Sequence, residues 1–444
     1  MYCGYITTLK GVHKHSNADR LQCVTVFGNN VIVDMSYYDG MKVVYFPTDG
    51  QLGKEFAEDN NLVRKTDENG NNIGGYLDPE KRNIKALKLR GEKSDGLVMP
   101  VECLAKYTDI SKLKDGDNIT VLNGVEICKK YIPRGNRRRG GGRYNTAVNK
   151  KELKEDVSYP YFAEHIDTAQ LAYNQSAFKE GDTIYLTRKL HGTSFICSIA
   201  VEVTTKKRPI WMKRLFKLKD KVTKQYALVS GTRRVTLRSY DGGFYGSNKF
   251  REKYHDMFKC ILPKGMTVYG EIVGWVSEDT PIMPRCKNSL VKDKEFSKLY
   301  GTETVFTYGC EPGESDCYIY RITMTNEDGV VTELPTEDVI RWCEMLNVKY
   351  VPLVDKFLYT TWEDLNARCA PYLDIPEPLA NGSHVTEGVV VRIDNRPKFT
   401  AFKTKSFAFK VLEGIIKDTA DAPDMEEAQE EFTSSLEGGV ERWI

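Results

Sequence analysis

Lys189 has the setting of a covalent nucleophile. It lies in residues 183–195, TIYLTRKLHGTSF, where two β-rich stretches at 183–186 and 194–200 flank Lys189-Leu190-His191-Gly192. The pattern predicts a lysine at a strand end, followed by a turn that glycine closes. An amine on such a rigid end attacks a phosphorus only as the neutral base. A free lysine has a pKa of about 10.4, and bringing it near 7 costs about 4 kcal/mol. A cationic or desolvated pocket, or a bound metal, has to supply that. The tetrapeptide by itself carries little weight, because a chain with 64 Lys plus Arg and 35 Gly produces Lys-x-x-Gly by chance.

Further along come six segments in a fixed order: 229–235 (VSGTRRV), 267–275 (TVYGEIVGW), 307–309, 318–323 (YIYRIT), 386–393 (TEGVVVRI) and 401–409 (AFKTKSFAF). Each alone reads as a strand with charged ends. As a set they carry arginines, lysines and two glutamates. In-line phosphoryl transfer needs little beyond positioning and charge neutralisation, so cations around the phosphates and a carboxylate-held Mg²⁺ suffice.

The elements that must position these groups fall into four regions. Residues 1–128 carry short alternating runs (23–27, 31–35, 42–46) punctuated by Gly-Asn-Asn, Tyr-Asp-Gly and Thr-Asp-Gly, the spacing of a small β-barrel or sandwich. Residues 83–100 add two strands about a glycine-bearing segment; Arg90 to Ser94 lacks a Gly-Lys-Ser/Thr ending and reads as a turn rather than a P-loop. Residues 129–157 form a linker whose first part, KKYIPRGNRRRGGGR, holds seven basic residues and no acid. Such a segment can track phosphates. Residues 158–412 mix clustered strands with helical stretches at 248–262, 336–346 and 361–372, which argues for antiparallel sheets. Within them, 206–224 carry nine Lys/Arg against Asp220 alone, a basic helix or hairpin suited to a phosphate backbone. Residues 413–444 read as an acidic helical tail, too short for another domain.

Taken together, the segments from 162 to 412 resemble the motifs of the covalent nucleotidyltransferases, the superfamily of ATP-dependent DNA and RNA ligases and mRNA capping enzymes. The fold this implies is α+β: an N-terminal OB-like barrel, then an ATP-grasp-like adenylyltransferase domain of antiparallel sheets flanked by helices. The resemblance implies that Lys189 attacks the α-phosphate of ATP and holds AMP as a phosphoramidate within a turn that includes Gly192. It implies that Arg233 or Arg234 contacts the nucleotide or the incoming phosphate, and that Glu271 binds the ribose or a metal-bound water. Tyr318 or Tyr320 would stack on adenine with Arg321 in support, Glu387 would help place Mg²⁺ or Mn²⁺, and Lys403 and Lys405 would touch the α-phosphate.

Lys-x-His-Gly-Thr at 189–193 and residues 162–168 resemble the nick-sealing and RNA-editing RNA ligases, whereas Arg188 departs from the glutamate often found before the lysine. His15-Ser16-Asn17-Ala18-Asp19-Arg20-Leu21 resembles the opening of tRNA-binding-type OB domains. An OB module placed first, rather than last, resembles RNA ligases that join a 3′-OH to a 5′-phosphate in nicked RNA duplexes or RNA–DNA hybrids. A GTP-using capping guanylyltransferase and a binding protein with a degenerate transferase fold remain as alternatives.

Composition sets the outer limits. A chain of 444 residues, 41% hydrophobic and 28% charged with net charge +2, reads as a globular, monomeric, intracellular protein, virus-encoded or cellular. It shows neither a signal peptide nor a membrane span. Eleven scattered cysteines without a Cys-x-x-Cys pair argue for reduced thiols and against structural zinc.

Overall fold

A computed structural model describes residues 2–70, 72–133, 155–162, 165–208, 215, 217, 219–233, 236–237, 240–241, 245, 247–394 and 396–419. The chain divides into two compact units, Met1–Arg134 with Leu290–Lys292 and Lys405–Pro423, and Gly135–Ser289 with Asp293–Thr404 and Asp424–Ile444.

In the first unit a four-stranded sheet orders Leu97–Pro100, Lys42–Phe46, Gly4–Thr8 and Asn118–Ile119. The strand KVVYF is central, and Val43, Val44, Tyr45 and Phe46 are all fully buried. Phe46 packs on Phe56, ring centroids 5.8 Å apart, within an apolar cluster that includes Ile6, Leu52, Leu104 and Ile127. His13–Lys14, Leu21–Val26 and Asn29–Asp34 make a separate three-stranded sheet. Phe27 and Gly28 turn its hairpin at φ +50° and +77°, and Arg90 and Gly91 turn the hairpin of Ala86–Leu89 and Glu92–Asp95 at +51° and +96°. Positive φ at both central residues is the type I′ geometry that suits strand twist. Arg90-Gly91 is therefore a turn, whereas Glu92 to Ser94, expected in the same turn, already belong to the second strand. Among the described residues these strands lie in several small sheets, and no closed barrel is seen. The helix Phe407–Thr419 also belongs to this unit, with Phe409 and Leu412 fully buried and Lys410 paired to Asp95.

The second unit holds two larger sheets. The first runs Thr236–Leu237, Lys221–Gly231, Thr193–Lys206, Met266–Gly274, Ser315–Thr325 and Val331–Glu333, with Glu155–Ser158 pairing on Thr193–Lys206. The second runs Ala169–Gln170, Ala401–Lys405, Gly388–Ile393, Thr183–Lys189 and Leu353–Leu358. Thr183–Lys189 and Thr193–Lys206 pair antiparallel with their neighbours, in keeping with the clustered strands of the sequence, while Ala169–Gln170 runs parallel to Ala401–Lys405. The expected helices form as Lys249–Lys259, Thr336–Leu346 and Trp362–Cys369. Thr361 caps the last, its hydroxyl accepting from the Asp364 N–H at 3.1 Å, with Glu363 and Asp364 favourably placed at the positive end of the helix dipole. Among the described residues no helix is long and apolar enough to cross a membrane.

Candidate active site

Lys189 is the last residue of a strand in one sheet of the second unit, and Thr193 is the first residue of a strand in the other. The turn between them therefore carries the chain from sheet to sheet. Gly192 is required there by space: a Cβ on it would sit 2.2 Å from the Ile272 carbonyl oxygen. Its N–H donates to Glu271 Oε1 at 3.0 Å, and Glu271 lies opposite Ser194 in the sheet. Glu271 is thereby brought to the turn that follows the lysine.

Lys189 pairs in register with Gly388, whose φ of +147° is one that residues with a side chain rarely adopt. Next to that glycine is Glu387. Its carboxylate, 2% exposed, holds Lys189 Nζ at 2.7 Å, and the lysine side chain itself is 21% exposed. A pair this deep is little screened by salt. The structure thus joins Lys189, Gly192, Glu271 and Glu387, four residues separated by up to 198 positions in sequence (387 − 189).

Residues not assigned a role from the sequence complete the setting. Tyr308 accepts the His191 N–H at 2.7 Å on its hydroxyl and is buried. Burial, with the neighbouring Glu387 charge, holds its phenol well above the ordinary range, so it stays a neutral hydroxyl. His191 and His384 both meet the Phe306 ring edge-on, at centroid distances of 4.9 and 5.1 Å, and His384 meets Tyr308 at 4.8 Å. Burial pulls His384 down to about 4, so it is a neutral packing group. Arg188 faces the buried Glu377 at 3.9 Å, too long for a hydrogen bond. Burial raises the Glu377 carboxyl above the ordinary value. Tyr308 lies inside the 307–309 segment, whereas Glu377 and His384 carry no local signal in the sequence.

The other expected residues are placed as follows. Arg233 Nε donates to Asp167 at 2.8 Å, and Arg234 lies outside the described residues. Tyr318 stands opposite Glu271 in the sheet and is buried, and burial raises its phenol. Tyr320 shares a hydrogen bond of 3.1 Å with His165 Nδ1. Arg321 is committed to a buried fork with Glu333 at 2.8 to 3.0 Å and lies over the Tyr269 ring at 4.3 Å. Lys403 is half-buried opposite Gln170. Lys405 belongs to the first unit, where Glu413 holds its ammonium at 2.7 Å. Most of the basic linker (134–154), Ala163 and Glu164, residues 209–214, 216 and 218 of the second basic stretch, and the tail from 420 lie outside the described residues.

Among the described residues no three Asp, Glu, His or Cys side chains form a ready-made metal cage. Mg²⁺ does not need one, since it is usually held by one or two carboxylates with waters and substrate phosphates. Glu271 and Glu387, two hard oxygen donors flanking the lysine turn, fit that description.

A strand-end lysine between two antiparallel sheets, flanked by two carboxylates, defines a nucleotidyltransferase-like architecture. A family model described as RNA ligase matches residues 182–412, more than half of the chain, and the protein belongs to that family. No curated protein matches it. Among solved structures it is similar to Naegleria gruberi RNA ligase. A lysine mutant of that enzyme with ATP and Mn is 17% identical at a TM-score of 0.55, covering 92% of this chain and 98% of that one. A second lysine mutant, with AMP and Mn, is 16% identical at 0.55, with 92% and 98% covered. The same enzyme with PPi is 17% identical at 0.54, with 95% and 100% covered. At these identities the likeness is one of fold.

Proposed function

We propose that this RNA ligase uses ATP and a divalent cation and works through a covalent lysyl-AMP at Lys189. The observation that carries the reading is the 2.7 Å pair between Lys189 Nζ and Glu387 at the crossing between the two sheets. In the first step Nζ bonds to the α-phosphorus, the bond to pyrophosphate breaks and Nζ loses a proton. The AMP then passes to an RNA 5′-phosphate, and a 3′-OH attacks that phosphate with release of AMP.

Glu387 and Glu271 are the residues that would hold Mg²⁺ or Mn²⁺. A divalent cation there would draw Glu387 away from the ammonium and favour the neutral amine. Gly192 and Glu271 fix the turn so that the amine meets the phosphorus without rearrangement, the positioning contribution to catalysis. Tyr318, opposite Glu271, is the better placed of the two tyrosines to stack on adenine, since Tyr320 is bonded to His165. Lys403, Lys405, Arg233 and Arg234 complete the phosphate contacts, which requires Lys405 to exchange Glu413 for phosphate and Arg233 to exchange Asp167. Residues 1–128 act as the OB-like module that grips a nicked duplex, the basic residues of the linker contact phosphates, and the activity serves RNA repair. The Naegleria gruberi structures with ATP, AMP and Mn support the choice of nucleotide and metal.

Purified protein incubated with labelled ATP and Mg²⁺ should give a labelled band on a denaturing gel that Lys189→Ala abolishes. Labelling by GTP instead would favour a capping-type guanylyltransferase. No adduct with either nucleotide would favour a binding-only protein.

A further inference from the structure

We propose that the far end of the hairpin formed by Thr193–Lys206 and Lys221–Gly231 is an arm that grips the phosphate backbone of the RNA remote from the reacting ends. The inference rests on the RNA ligase reading for the identity of its partner. The hairpin runs from Ile196↔Gly231 to Lys206↔Lys221, whereas the neighbouring strand Met266–Gly274 stops pairing at Ser198↔Thr267. Residues 199–206 and 221–228 therefore continue the ladder past that strand.

At its end Lys206 and Lys221 stand directly opposite one another, and Thr204 and Thr223 form the next pair on the same face. Lysines and threonine hydroxyls are common phosphate contacts. Two acids share that face: Glu155 stands opposite Lys206 on the neighbouring strand, and Glu202 accepts Gln225 Nε2 at 2.8 Å and the Tyr159 hydroxyl at 2.8 Å, so neutral donors occupy the second. Lys207, Lys217, Lys219, Lys221 and Lys224 are exposed, and among the described residues none has an ion-pair partner. Asp220 accepts the Arg208 backbone N–H at 2.8 Å. Among the described residues Leu215 and Val222 are the exposed apolar side chains here.

The strand Thr193–Lys206 begins beside the nucleophile turn and is 14 residues long, which at about 3.3 Å per residue spans roughly 40 Å. Its basic end would therefore meet phosphates on the order of a dozen nucleotides from the nick.

The test replaces Lys217, Lys219, Lys221 and Lys224 together by Gln and, in a second variant, by Arg. Binding is measured against salt on nicked RNA duplexes with about 24 or about 6 base pairs on each side of the nick, lengths chosen to include or omit the remote phosphates. The glutamine variant should form lysyl-AMP at the wild-type rate. It should bind the long nick at least about tenfold more weakly, with a log–log salt slope shallower by roughly 3 at 0.7 to 0.9 per lost contact. On the short nick it should match wild type, and the arginine variant should match wild type throughout. An unchanged slope, an equal loss in the arginine variant, or loss of lysyl-AMP formation alongside RNA binding would overturn the proposal. So would intact RNA affinity with lost adsorption to phosphatidylserine vesicles, which would point to a membrane surface. Were wild type to form no lysyl-AMP, the ligase reading would fail while the slopes still decided the arm.

Discussion

The strand Thr193–Lys206 has lysine chemistry at both ends, and the two ends are built in opposite ways. Beside its first residue, Lys189 is tied to a buried glutamate at 2.7 Å. At its last, Lys206 faces Lys221 with exposed lysines around it. A buried pair has one geometry and is screened little, whereas exposed charges are mobile and strongly screened. The first arrangement suits a nucleophile that must be placed within a fraction of an ångström. The second suits a charged backbone without a fixed sequence. Depth, not residue type, separates the two roles.

The comparison breaks most sharply at the buried end. Lys189→Ala should abolish lysyl-AMP formation, and Glu387→Gln should slow it by about 10²–10³-fold, the scale expected for removing one preorganised electrostatic partner. Both should bind RNA with the wild-type salt slope. If either flattened that slope, the two ends would not be functionally separate.

Gly192→Ala tests whether the turn has to be that tight. A Cβ 2.2 Å from the Ile272 carbonyl oxygen forces the turn or the neighbouring strand to move, so adenylylation should fall by about 10²-fold. Wild-type rates in single-turnover assays would show that the turn does not fix the amine.

His384 sharpens the contrast through pH. Its folded value of about 4 lies below its ordinary 6.5, so between these values the unfolded chain binds a proton that the folded chain does not. Stability should fall as pH drops through that window, by up to about 3 kcal/mol from this one group. Denaturant unfolding of wild type and His384→Asn at pH 7 and 4.5 would measure it as a pH-dependent gap between the two. Glu377 acts in the opposite sense. Its carboxyl is raised, so its contribution is present below the ordinary carboxylate value and is lost as pH rises through the folded one.

The smallest expected effect is that of Tyr308→Phe, which leaves the His191 N–H without its acceptor at a cost of about 1–3 kcal/mol. Slower lysyl-AMP formation at an unchanged KM for ATP would mark Tyr308 as a positioning residue. Equal changes in both would make it a binding group.

Much of the second unit was legible in the sequence because its signals are local. The strand–turn–strand around Lys189 and the helices at 336–346 and 361–372 follow from alternation, caps and turn residues. How the N-terminal strands group was not legible: the expected barrel gives way to several small sheets, since pairing between strands is not specified by short alternating runs. Arg321 and Arg188 show the same limit at the site. Their positions in the chain say nothing of Glu333 and Glu377, the acids that reach them through the fold.

The sequence by itself determined which residues could do chemistry: a lysine at a strand end, a glycine after it, and glutamates and lysines on later strands, because residue type and alternation are written locally. Only the tertiary structure decided their partners. Glu387 meets Lys189, and Glu271 meets the Gly192 N–H, because two sheets hand the chain across at one turn. Register between strands far apart in sequence is set by the packing of the whole core.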